Sequence, residues 1–348
     1  MARAFGIPRL RPVWLAVVVI AFGMVSSLAV RMWAPDVPVE SLKARWAPAP
    51  SQFLAVDGMQ VHLRDEGPRD DSVPVVLLHG TSSSLHTWNG WADSLRATRR
   101  VIRFDLPGFG LTGPAPDGDY RMDAYVRFVV HTLSTVGARR VVLAGNSLGG
   151  WIAWRVAVAH PDLVQRLVLV DAAGYPFTSA SVPIGFRLAR IPGLNVLMQR
   201  LLPRSMVEQS VRNVFGDPSR VTPELVQRYY DLTRREGNRA ALVARFGQLR
   251  EDPDTAAIRG ITVPTLVIWG GRDGLIPPMN AARFGRDITG SRVAIFPALG
   301  HVPHEEDPAA TLMALREFLT GRAAAAQGSG TTGTTDAAGT TLGGAGAR

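Results

Sequence analysis

A chain of 348 residues, 46% of them apolar, can bury a core large enough for one catalytic domain with an insertion. It has no cysteine, which excludes disulfides, a thiolate nucleophile and a cysteine-held metal, and it shows neither a His/Asp/Glu cluster at metal-ligand spacing nor a phosphate-cradling Gly-Lys-[Ser/Thr] loop, so no metal and no cofactor is expected. The net charge of +9 is almost wholly arginine, scattered without a basic tract; it describes a solvated surface with some attraction for anionic headgroups, and no nucleic-acid partner is expected.

In chain order, residues 1–31 come first. Val13 to Val30 carries no charge and lies between Arg3, Arg9 and Arg11 on one side and Arg31 on the other. Its length suits a bilayer span. Two readings stay open: a retained membrane anchor, or a signal segment cut near Ser27-Leu28-Ala29. The apolar run exceeds the roughly 7–15 residues of a signal core, which favours the anchor. The preceding positive charge places the rest of the chain on the periplasmic or extracytoplasmic side; cleavage would make it secreted. Residues 32–51 form a Pro-rich linker.

A first core part is expected over 52–173. Short strands near Phe53–Val56 and Met59–Arg64 flank Asp57-Gly58, a hairpin signal. Strands near Val73–Leu78 and Arg100–Asp105 follow, then a helix near Met122–Val136 and a strand ending at Ala144. Strands alternating with helices predict an α/β fold: a mostly parallel sheet with helices on both faces. From 174 to 255 the strand pattern stops. Runs such as Ile191–Leu202, Met206–Phe215, Pro223–Thr233 and Ala240–Leu249 have the spacing of short amphipathic helices, and about 80 residues is too long for one crossover, so a helical cap is expected. The core resumes over 256–321 with strands at Thr265–Gly270 and Arg292–Phe296. Residues 322–348, rich in Gly, Thr and Ala, have no means of forming a packed core.

The chemistry concentrates at Gly145-Asn146-Ser147-Leu148-Gly149, between a strand and a helix. A serine on so tight a turn is exposed above the sheet next to a helix N-terminus. It needs a histidine to take its proton and a carboxylate to orient that histidine. His301 follows Gly300 in the loop after the last strand. Asp273 lies just past another strand end and is the preferred carboxylate; Asp171, at the end of Leu167–Val170, is its competitor. The oxyanion donors expected are the backbone N–H groups of Leu148 and Thr81, the latter in the loop His79-Gly80-Thr81-Ser82. His79 has a structural place. His304 belongs to the first turn of the final helix with Glu305 and Glu306, and His62, His131 and His160 are taken as surface or helix-end residues.

Leu78-His79-Gly80, Asp105-Leu106-Pro107-Gly108-Phe109-Gly110, Gly145 to Gly150, Trp269 to Asp273 and Gly300-His301 stand in the order of the α/β-hydrolase superfamily, and the chain resembles its capped esterases and monoacylglycerol-lipase-like members. That resemblance implies a serine hydrolase acting on small, lipophilic carboxylic esters through an acyl-enzyme. Gly-Asn-Ser also resembles the carbon–carbon bond hydrolases of ring-fission products, although Gly80-Thr81-Ser82 and Val302-Pro303 depart from their usual loops. A cofactor-free haloperoxidase and a catalytically inactive, membrane-anchored binding protein are further alternatives. Oligomeric state is left open.

Overall fold

Val75-Val76-Leu77-Leu78 is apolar at every position, as a strand covered on both faces must be, and all four residues are buried in β3 (Val75–Leu78). Their side chains alternate. Val76 and Leu78 pack with α4 (Met122–Thr135) and α5 (Leu148–Ala159), while Val75 and Leu77 pack with α3 (Asn89–Leu95) and with the helix Pro308–Thr320 on the other face. This computed structural model describes residues 12–191, 193, 196, 199–248 and 255–321, without the side chains of 12, 13, 15, 25 and 28–31. Arg3, Arg9, Arg11, Pro192, Leu194, Leu197 and the tail 322–348 lie outside the described residues.

The sheet has eight strands in the order β1-β2-β4-β3-β5-β6-β7-β8. β1 (Gln52–Val56) and β2 (Met59–Glu66) form an antiparallel hairpin about Asp57-Gly58, both at positive φ (48° and 77°) as a tight hairpin turn of this kind requires. β2 also runs antiparallel to β4 (Val101–Phe104). From β4 through β5 (Val141–Asn146), β6 (Val164–Val170), β7 (Thr265–Gly270) and β8 (Arg292–Phe296) the strands are parallel. The mostly parallel α/β sheet expected from the sequence is present.

Between β6 and β7 stand α6 (Ile184–Ala189), α7 (Arg204–Val214), α8 (Pro223–Thr233) and α9 (Asn238–Gln248). Thr222 caps α8 by accepting from Leu225 N. α7 and α8 share a small core, with Val207, Val211, Phe215, Val221 and Val226 buried together. After β7 come α10 (Met279–Asp287), α11 (Pro303–Glu306) and α12 (Pro308–Thr320).

The structure departs from the sequence reading in four places. The stretch 32–51 is not a bare linker. Leu202 N donates to Met32 O at 3.0 Å and Ala34 N to Arg200 O at 2.9 Å, so Trp33 pairs with Leu201 as a short antiparallel bridge. Ala34 is buried in the cap core. Val37 N donates to Arg234 O and Val37 O accepts from Glu236 N, while α2 (Val39–Trp46) sends Leu42 against Leu111 and Leu232. Second, the expected helix Ile191–Leu202 does not reach Leu202, because residues 200–202 are extended against this strap. Ile191 is exposed and Leu202 is packed. Third, His62 is fully buried, not a surface residue: β2 is covered on both faces, and its ring bonds Asp105 Oδ2 at 2.8 Å and Ser51 Oγ at 2.9 Å. Fourth, Val13–Val30 lies in the 21-residue helix α1 (Pro12–Met32), yet among the described residues no helix is long and apolar enough to cross a membrane.

A charge pair helps to pin the strap. Asp36 Oδ1 accepts from Arg239 Nη2 at 2.6 Å and Nε at 3.2 Å, and Arg239 is only 6% exposed. Removing one partner of such a pair leaves a buried charge unanswered. Asp36→Ala is therefore expected to destabilise the protein by about 1–3 kcal/mol. Chemical denaturation of the variant beside Asp36→Asn, which keeps part of the bonding, measures it.

Candidate active site

The turn from β5 into α5 places Ser147 at φ 55°, ψ −113°, a conformation an L-residue adopts only under constraint. The constraint is close packing. A Cβ on Gly145 would collide with the backbone of Gly149, and one on Gly149 with the backbone of Leu78. Ser147 N donates to Val170 O at 3.0 Å, fastening the turn to the neighbouring strand. Leu148 opens α5, so its N–H belongs to the first turn, where no intrahelical acceptor exists. Gly80 packs against Ser147 and Asn146 so closely that a Cβ there would press on Ser147 Cβ at 3.1 Å, which brings the Gly80-Thr81 backbone beside the serine.

His301 Nδ1 bonds Asp273 Oδ2 at 2.7 Å, and Asp273 Oδ1 accepts from the backbone N–H groups of Leu275 and Ile276 at 2.8 and 2.9 Å. A carboxylate that accepts three bonds donates none. Nδ1 therefore carries the proton, and Nε2 is left as a base. Ser147, His301, Gly80 and Thr81 line a single pocket of about 160 Å³ under the cap, walled largely by apolar side chains such as Leu202, Val207, Val211, Leu242, Val243 and Val302.

Asp171 lies beside this pair. Atoms of Asp171, Asp273 and His301 converge within 4.8 Å, a grouping that would suit a cation if the His301–Asp273 hydrogen bond did not already occupy it. Asp171 is fully buried, and its Oδ1 accepts from Gly270 N at 2.9 Å. Burial, with the Asp273 charge next to it, pushes its carboxyl well above the usual carboxylate range. The histidine bonds its neighbour Asp273 instead.

Two residues that hold the site were not singled out from the sequence. Asn146 Nδ2 donates to Val170 O and to His301 O at 3.1 and 2.9 Å, tying the elbow to the histidine loop. Glu306 is buried. Its carboxylate accepts from Gly300 N (2.8 Å), Gly216 N (2.9 Å) and Asp217 N (2.7 Å), joining the His301 loop to the end of α7. In sequence it looks like any acid at a helix start; only the approach of the cap loop gives it this task. His304 lies in the short helix α11, not in the first turn of the final helix, and is buried: its ring lies against Trp88 with centroids 3.9 Å apart and bonds Thr87 Oγ1, and burial lowers its pKa well below the ordinary value. His79 has the structural place expected, with Nε2 accepting from Leu106 N and Nδ1 donating to Gly80 O.

The α/β-hydrolase fold profile matches residues 73–308. The chain belongs to the α/β-hydrolase family. It is 30% identical, over 80% of its own length and 97% of the other's, to the 2-hydroxymuconate semialdehyde hydrolase of Pseudomonas sp. (strain CF600). Among solved structures it resembles a thermophilic esterase from Thermogutta terrifontis (25% identity, 78% of this chain and 97% of that one, TM-score 0.63). A bacterial membrane phospholipase A shares its fold over 88% of this chain and 96% of that one, at 24% identity and a TM-score of 0.67.

The raised pKa of Asp171 has a pH signature. In the unfolded chain an aspartic acid loses its proton near pH 4, whereas the folded protein keeps it to a higher pH. The unfolded state then binds fewer protons, so this residue's contribution to stability falls as pH rises from about 4 toward its folded pKa, by up to about 1.4 kcal/mol per pH unit. Asn has no such penalty. Asp171→Asn should therefore gain stability relative to the parent as pH rises above about 4, and urea unfolding at several pH values tests this.

Proposed function

We propose that this hydrolase cleaves lipophilic carboxylic esters through an acyl-enzyme on Ser147. His301 Nε2 takes the serine proton as the hydroxyl attacks the carbonyl, and returns it to the leaving alcohol. Asp273 holds the imidazole with its Nδ1 protonated and balances the positive charge that develops. The backbone N–H groups of Leu148 and Thr81 receive the oxyanion. Water, activated by the same histidine, releases the acid.

One observation carries the ester reading: the pocket that holds Ser147 and His301 is apolar, and its single charged lining side chain other than histidine, Arg239, is already bonded to Asp36 among the described residues. A carboxylate-bearing substrate would find no uncompensated cation there. The second reading, hydrolysis of a carbon–carbon bond in a ring-fission product, draws on the relatives named for that activity, among them a 2-hydroxy-6-oxo-2,4-heptadienoate hydrolase 28% identical to this chain. Hydrolysis rates for p-nitrophenyl esters of increasing chain length, measured beside a ring-fission dienone, separate the two. Octanoyl over acetyl, with little dienone turnover, is the expected pattern.

We also infer that α1 tethers the protein to a membrane surface. The support is the uncharged run Val13–Val30 and the exposure of Trp14, Val17, Val18, Val19, Ile20, Phe22 and Met24 on α1. Sedimentation with lipid vesicles of the full chain, but not of a chain starting at Trp33, is the expected result.

Ser147→Ala should abolish ester turnover and fluorophosphonate labelling. Asp273→Asn should reduce kcat by about 10³–10⁴-fold, because the histidine loses the charge that fixes its tautomer. Asp171→Asn, which leaves the His301–Asp273 bond in place, should keep kcat within about tenfold. Reversal of that order would transfer the orienting role to β6.

A further inference from the structure

Thr81, whose N–H is assigned to the oxyanion, sits in a tight turn. Ser83 N donates back to Gly80 O at 3.3 Å and closes it, and Ser82 in its corner takes φ 58°, which a residue with a Cβ adopts only under constraint. The near end of the turn is fixed, because Gly80 packs on Ser147 and its carbonyl accepts from His79 Nδ1 at 2.7 Å. Beyond the turn, Leu85 is buried and its N–H goes to Asp105 Oδ1 at 2.7 Å. Thr81, Ser82 and Ser83 between these points are only half-buried. Among the described residues one other side chain reaches them by a hydrogen bond, and it belongs to the cap: Tyr229 of α8, whose hydroxyl lies 3.3 Å from Ser83 Oγ.

The Tyr229 hydroxyl has one proton, and Glu305 Oε2 takes it at 2.9 Å. Burial and the Glu305 charge raise the pKa of the phenol, so that proton stays on its oxygen. Ser83 Oγ is then the donor and the phenol oxygen the acceptor. Glu305 is held in turn by Arg228, and the two side chains are 9% and 12% exposed. With its proton committed, Tyr229 does not serve as a third oxyanion donor. Its hydroxyl stands instead between the two loops that must meet across a substrate carbonyl: the Gly80–Ser83 turn on one side and, through Glu305 in α11, the segment that follows His301 on the other.

We propose that Tyr229 is a positioning residue for the oxyanion hole: from the cap, through Ser83 Oγ, it holds the Gly80–Ser83 turn in the conformation that aims the Thr81 N–H at the reacting carbonyl. This role rests on the serine chemistry proposed above, and it gives the cap a part in the chemical step besides walling the pocket. Without the bond the turn is closed by one long backbone contact, and Ser82 is released toward negative φ. Thr81 moves with the turn, and a donor helps only if it lies within hydrogen-bond distance of the place where charge develops. Ground-state binding against the apolar walls does not depend on that alignment.

The test deletes one oxygen at a time from the full-length protein. Tyr229→Phe removes the acceptor and keeps the ring. Ser83→Ala removes the donor and leaves Glu305 and Arg228 untouched. The probe is octyl trifluoromethyl ketone: Ser147 Oγ bonds its carbonyl carbon, the serine proton passes to His301 Nε2, and the carbonyl oxygen becomes the oxyanion. Either change should weaken the ketone by about three- to tenfold, the worth of one hydrogen bond, and lower kcat/KM for p-nitrophenyl octanoate by a similar factor. Decane, which fills the apolar pocket without reacting, should bind as it does to the parent. The double variant should lose no more than either single change, because both remove the same bond. Losses that multiply, ketone binding undiminished in either variant, or decane weakened as much as the ketone would overturn the clamp; in the last case Tyr229 only shapes the pocket. A parent protein that forms no ketone adduct would refute the serine chemistry itself, and the clamp with it.

Discussion

Between β5 and α5 the chain reverses in a space that admits no side chain on either flank. Gly145 faces the backbone of Gly149, and Gly149 faces the backbone of Leu78. This steric limit fixes much of the site. It holds Ser147 at positive φ, points its hydroxyl away from the sheet and starts α5 directly behind it. Because the glycines let β3 and the helix approach so closely, the Gly80-Thr81 loop that follows β3 also comes to rest against the serine. The strain of one residue is thus maintained by three elements, each locked by the sheet beneath it.

Around that turn, buried carboxyl groups divide the work according to what surrounds them. Asp273 meets two N–H groups and the histidine, and stays an acceptor. Asp171 meets one N–H and its charged neighbour, which with burial raises its pKa. Asp105 is buried, which alone would raise its pKa; the charge and hydrogen bond of His62, with N–H groups from Leu85 and Leu111, hold it well below the usual range. Glu306 gathers three N–H groups from two separate loops. Identical chemistry in a side chain becomes base-orienting, harder to ionise or purely structural through its partners alone.

The elbow, the Gly-His pair and Asp273 were legible in the sequence because each is a local pattern: a tight turn, a strand end, a small residue beside a reactive one. The parallel sheet was legible because a strand buried on both faces has to be apolar throughout, as β3 is. What stayed hidden depends on distant pairing. Glu306 has the sequence surroundings of a helix-start acid, and two of its three partners are some 90 residues away. His62 alternates along its strand like a surface residue, and only the pairing of β2 with β4 and the approach of Asp105 bury it. The segment 32–51 has the proline content of a linker, yet prolines also suit an extended strap, and no periodicity records what such a strap will lie against.

The bridge from Met32 and Ala34 to residues 200–202 sets a load path through the molecule. Force applied at the N-terminus does not reach the sheet first. It passes from α1 into the cap at Leu202, which also walls the catalytic pocket, and then through Val37 and Asp36 to α8 and α9. Few bonds lie along this route, and they are pulled nearly one after another, as in a zip. A tug on the N-terminal helix should therefore deform the substrate cavity before it disturbs the serine, the histidine or the strands that carry them.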